Sequence, residues 1–169
     1  MKRLLATATA AIVLLGSAPT IAKQDKNPPI LVDAGNLTAQ WAQDVSQDLD
    51  RELMKIRPAP REILPNGLVQ IRFEVADGHP VNVRVHRQSG YRWLDRQAVR
   101  SVERLNNMSD IPYTADNTRT VQANIITARD EDAFRDLHDE LIAVEEARMA
   151  SSGPDRTVIA LNPGSRRAG

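Results

Sequence analysis

The chain has 169 residues, no cysteine, and 22 basic against 22 acidic side chains. Without cysteine there is no disulfide to staple the fold and no thiolate chemistry. The balanced charge turns mildly acidic once Lys2 and Arg3 are set aside as part of a leader, which argues against a non-specific binder of nucleic acid or anionic membrane.

Lys2 and Arg3 precede a short apolar run, Leu4 to Gly16, and a segment of small residues from Ser17 to Ala22. That order reads as a secretory signal peptide over residues 1–22, cleaved after Ala22. The run is shorter than the ~20 apolar residues a membrane-spanning helix requires, and an uncleaved inner-membrane anchor is the alternative. Residues 23–36 read as a flexible N-terminal segment. Leu37, Trp41, Val45, Leu49, Leu53 and Ile56 then recur at three- and four-residue spacing, which predicts an amphipathic helix capped by Asn36 and stopped by Pro58.

From Val69 the apolar residues fall on every second position, Val69, Ile71, Phe73 and Val75, and the pattern resumes at Val81, Val83 and Val85. Period two predicts strands with one apolar and one wet face. Asp77-Gly78 supplies the residues a tight hairpin turn needs, and Pro80 cannot donate a ladder hydrogen bond. Leu94, Ala98, Val102 and Leu105 predict a helix over the apolar face of the hairpin, with Asp95 near its positive end. Val121 to Ala128 is a third strand. An all-antiparallel sheet of order 2-1-3 follows, with the second and third strands as exposed edges open to another strand.

The ordered set Gly67-Leu68-Val69 through Phe73-Glu74-Val75, Asp77-Gly78, Val81 to Val85, Ser89-Gly90, Leu94-Asp95 and Ala98 resembles the TonB C-terminal domain family over roughly residues 60–128. The resemblance implies an α+β fold: a small three-stranded antiparallel sheet with helices packed on one face, carrying extra N- and C-terminal helices. It also implies a periplasmic, non-enzymatic interaction domain that takes an extended peptide by β-strand addition. The partner the resemblance implies is an envelope protein such as a TonB-dependent outer-membrane receptor. By that analogy the docking edge is Val121, Gln122, Ala123, Asn124, Ile125, Ile126 and Thr127. The motif residues Gly67, Asp77, Gly78, Ser89, Gly90, Leu94, Asp95 and Ala98 read as structural, the glycines answering backbone needs. Scattered prolines such as Pro28, Pro29, Pro58, Pro60 and Pro65 make no long spacer, so an inner-membrane energy transducer is the alternative rather than the first reading. Strand exchange between open edges allows a homodimer.

On this reading residues 37–128 form the domain with its preceding helix, 129–152 a C-terminal helix, and 153–169 a disordered tail in which Thr157 to Leu161 is either a short added strand or an apolar tail segment. In the C-terminal helix Phe134, Leu137, Leu141 and Ile142 form the apolar stripe, and Glu131, Arg135 and Asp139 stand at ion-pair spacing. His138 with Asp132, Asp136, Asp139 and Glu140 is the densest set of metal-ligand types, and a periplasmic metal-dependent hydrolase built on it is the second alternative. An acidic solvated face accounts for the same residues, so no metal, cofactor or catalytic residue is assigned.

Overall fold

The computed structural model describes residues 34–57, 63–112, 119–163 and 166–167. All lie in the unit Val32–Gly169. The unit Met1–Leu31, with the expected leader and its cleavage site, lies outside the described residues, as does the proposed stop at Pro58. In chain order the elements are α1 (Ala34–Met54), β1 (Gly67–Ala76), β2 (His79–Arg87), α2 (Arg92–Glu103), β3 (Thr120–Ala128), α3 (Glu131–Ala150), a short 3-10 helix (Pro154–Thr157), β4 (Ile159–Leu161) and β5 (Arg166–Arg167).

The sheet order is β2-β1-β3-β4, with β5 pairing further along β3. β1 is antiparallel to both β2 and β3, so the expected 2-1-3 arrangement holds for the first three strands. The expected three-stranded, all-antiparallel sheet does not. β4 and β5 add to β3 in parallel, making the sheet mixed. The cause is the helix that follows β3: a strand, a crossover helix and a returning strand run in one direction. The tail of 153–169 is therefore structured over Pro154–Leu161, and Leu161 is fully buried.

Period two divides the sheet into two faces. Val69, Ile71, Phe73 and Val75 of β1, with Val121, Ala123 and Ile125 of β3, join α1 and α2 in the main core. Trp41, Val45, Leu49, Leu53 and Ile56 lay the α1 stripe onto it, and Trp41 Nε1 donates to the carbonyl of Ser109 at 3.0 Å. Leu37 is exposed and Asn36 lies inside the helix, which starts at Ala34, earlier than the predicted cap. Leu94, Ala98 and Val102 bury the inner side of α2, and Leu105 follows just beyond its end.

The opposite face is covered by α3. Leu68 and Ile126 meet Leu141, with Phe134 and Leu137 packed alongside. Helices on one face is thus corrected to helices on both faces. The helix earns few apolar contacts there, Leu141 being its one buried residue. What it covers is mainly polar.

Candidate interaction surface

The motif residues resolve into a local frame. Asp77 and Gly78 both adopt positive φ, 52° and 75°, as a two-residue hairpin turn of the favoured twist requires. The Gly78 carbonyl accepts from the Met108 amide at 3.1 Å, which ties the hairpin to the segment after α2. A Cβ on Gly67 would stand 3.1 Å from Leu94 and Ser89 side-chain carbons, so the start of β1 approaches α2 closely. Asp95 does more than meet the helix dipole: its Oδ1 accepts from the Ser89 amide at 2.9 Å and the Ser89 hydroxyl at 2.7 Å. Gly90, at φ 86°, makes the step into α2 between these partners. Leu94 and Ala98 are buried. Gly67, Ser89, Leu94, Asp95 and Ala98 join the hairpin to α2, while Asp77, Gly78 and Gly90 supply the turns on either side of β2.

The expected docking edge is placed differently. Val121, Gln122 and Ala123 pair with Ile159, Ala160 and Leu161 of β4, and Thr127 pairs with Arg166 of β5. Asn124, Ile125 and Ile126 lie between these two short pairings, and all seven residues from Val121 to Thr127 are buried. The expectation of an open β3 edge is overturned, because the chain uses its own later residues to close it.

Beneath α3 the even-numbered residues of β1 and β3 form a buried polar layer. Gln70 Nε2 donates to Asn124 Oδ1 at 2.9 Å and to Glu145 Oε1 at 3.2 Å. Gln122 Nε2 donates to the same two acceptors at 3.1 and 2.8 Å. Arg72 Nε reaches Gln122 Oε1 at 2.9 Å, and its NH1 reaches Asp155 Oδ1 at 2.6 Å. That guanidinium, donating to Asp155, holds its carboxyl below the usual carboxylate range. Asn124 Nδ2 donates to Asn162 Oδ1 at 3.0 Å, while Arg148 pairs with Glu145 at 2.8 Å and donates to the carbonyl of Asp155 at 2.8 Å. The layer pins α3, the 3-10 helix and β4 to the sheet together. Arg72 Nη2 is buried without a hydrogen-bond partner among the described residues, and the groups that are paired fix geometry more than they add net stability.

The other edge is β2. It ends the sheet, and among the described residues no strand pairs with its outer side. Its pairing with β1 shifts register twice, between Arg72 and Glu74 and between Gln70 and Ile71, and β2 takes the extra residue each time. Asn82, at φ 55°, lies in the first irregularity. Together with Pro80 and the exposed Arg84 and His86, these features limit indiscriminate pairing along the edge. Partial desolvation of the ring, then the positive charge of Arg72, depresses the His86 pKa, with Arg84 adding to it and Asp155 and Glu145 opposing. Beside this edge a groove of about 240 Å³ lies between β2 and α2, lined by Val85, Asp95, Arg96, Val99, Arg100 and Glu103.

A larger cleft of about 430 Å³ runs between α3 and β3, lined by Ile126, Phe134, His138, Leu141, Ile142 and Asn162 among others. His138 packs on Phe134, ring centroids 5.6 Å apart, rather than joining a ligand set. Asp132 bonds Arg135 at 3.0 Å and Glu140 pairs with Arg87, so two of the acidic residues beside His138 are held by separate arginines. Among the described residues no three His, Asp or Glu side chains come together to hold a metal ion, and no helix is long and apolar enough to cross a membrane.

No family model matches the chain, and neither a curated protein nor a solved structure matches it. The polar layer is the feature that the alternation of β1 and β3 left unread. Its signal was present: Gln70, Arg72, Gln122 and Asn124 alternate on both central strands, and a helix of 20 residues follows to cover them.

Proposed function

We propose that this chain is a non-enzymatic interaction module of the cell envelope, exported to the periplasm and similar to TonB C-terminal domains, that binds another envelope protein by β-strand addition. The observation that carries this reading is the β2-β1-β3 antiparallel order with α2 between β2 and β3, closed around the Gly67, Asp77-Gly78 and Ser89-Asp95 frame. With β3 paired to β4, the receiving edge is β2. An unpaired strand end offers backbone donors and acceptors to an extended segment, and side-chain pockets beside it supply selectivity.

Cell fractionation with N-terminal sequencing, combined with photo-crosslinkers placed singly at the exposed Arg84, His86 and Tyr91, tests the proposal. A periplasmic chain beginning at Lys23, with a specific envelope-protein adduct from at least one position, supports it. A chain retained in the cytoplasm, or no adduct from any of the three positions, overturns it.

A further inference from the structure

The outer side of α2 carries Arg92, Arg96 and Arg100, all exposed, and none has an acidic partner among the described residues. Six other described arginines, Arg51, Arg72, Arg87, Arg104, Arg135 and Arg148, each pair with a carboxylate. The three α2 arginines stand four residues apart on one helix face, two of them lining the groove whose floor is Val85 and Val99. That groove opens beside the free edge of β2.

From this juxtaposition we infer that the α2–β2 groove binds an extended acidic peptide, with Asp or Glu at every second position and small apolar residues between. The inference deepens the reading of the chain as an interaction module and rests on it. Residues four apart on a helix recur about every 6 Å. Same-side residues of an extended strand recur about every 6.7 Å. Acidic residues at alternate positions therefore keep step with the arginines over two or three contacts. The apolar floor distinguishes this surface from a phosphate-binding one, since phosphates gain nothing from Val85 and Val99. Asp95 and Glu103 at its rim repel a dense polyanion but leave room for a segment whose charges are spaced. Asp95 is also occupied, accepting from Ser89.

The experiment titrates the isotope-labelled protein with the peptide Glu-Val-Glu-Val-Glu-Val, capped at both ends, and follows backbone amide shifts. A Lys-Val peptide of the same length, a short DNA duplex and phosphatidylglycerol vesicles are the parallel arms. Expected are shifts at Val83, Val85, Arg96, Val99 and Arg100, weakened at least tenfold in the R96E/R100E double variant and unchanged in R135E on α3. Both variants alter exposed side chains, and amide shifts outside the groove report whether the fold is kept. For the unmodified protein, affinity that falls as salt is raised from low to physiological ionic strength is the second measurement. Equal binding of the Lys-Val peptide, shifts centred on α3, no shifts at millimolar peptide, or DNA or vesicles binding these residues in preference to the peptide each overturns the inference. If crosslinking captures an envelope partner while the groove stays silent, the groove assignment falls and the module reading stands.

Discussion

The two faces of the sheet are built on opposite principles. The face under α1 and α2 is apolar from Val69 and Phe73 to Val121 and Ile125, and its stabilisation is non-directional and roughly proportional to area removed from water. The face under α3 has only Leu68 and Ile126 as apolar anchors and otherwise a chain of amides, carboxylates and guanidinium groups. Such groups contribute little net energy, but each accepts only a narrow geometry. One face holds the domain together and the other decides where its last third lies.

That contrast makes ordered predictions. Phe73→Ala, on the apolar face, removes a fully buried ring and should cost about 3–5 kcal/mol in urea unfolding. Leu161→Ala, in the segment that closes β3, should cost about 2–4 kcal/mol; a change below about 0.5 kcal/mol would show that β4 contributes nothing to the core. On the polar face, Glu145→Ala leaves Gln70, Gln122 and Arg148 without their shared acceptor and should cost about 2–3 kcal/mol. Its distinguishing mark is spatial: hydrogen exchange should rise in α3 and β4 well before it rises in α1. Asp95→Ala, which removes two hydrogen bonds to Ser89, should cost about 1 kcal/mol, and Asp95→Asn should recover part of it.

The smallest effect concerns His86. Its folded pKa is depressed, first by partial desolvation and then by Arg72 and Arg84, so the unfolded chain binds its proton more readily. Stability from this group is present above the unfolded value of ~6.5 and is lost as pH falls through the lower folded value. An NMR titration of the His86 ring should give a pKa below 6.5, moving upward in Arg84→Gln. A ring titrating above ~6.5 would remove the electrostatic link between β2 and the polar face.

Much of the apolar face was legible in the sequence. The stripe from Trp41 to Ile56, the alternation of Val69 to Val75 and the set Leu94, Ala98 and Val102 all name residues that are buried together, because periodicity reports directly which side of an element leaves water. The polar face was not. Gln70 and Arg72 read as wet because polar residues usually are, and only the covering helix, which follows β3 and precedes Asp155 and Asn162, reverses that meaning. The same omission left β3 as an open edge. Thr157 to Leu161 read equally as a short added strand or an apolar tail segment, and a pattern of three residues, Ile159 to Leu161, is too short to name the strand it pairs with, which is β3. The β2 edge was visible as an edge, but the groove beside it depends on how α2 overlies Val85, which no local pattern encodes.

The pairing of β4 with β3 also sets an order in time. Asn124 and Asn162, joined side chain to side chain, are 38 residues apart, and that span must be present before the β3 edge can close. A chain emerging N-terminus first would hold a finished hairpin and α2 beside an unclosed strand until Leu161 arrives. Contacts between distant residues form late because the intervening loop must first be ordered. The interval before closure is the moment when β3 is open to foreign strands, and chaperone protection or strand exchange between two copies would act then.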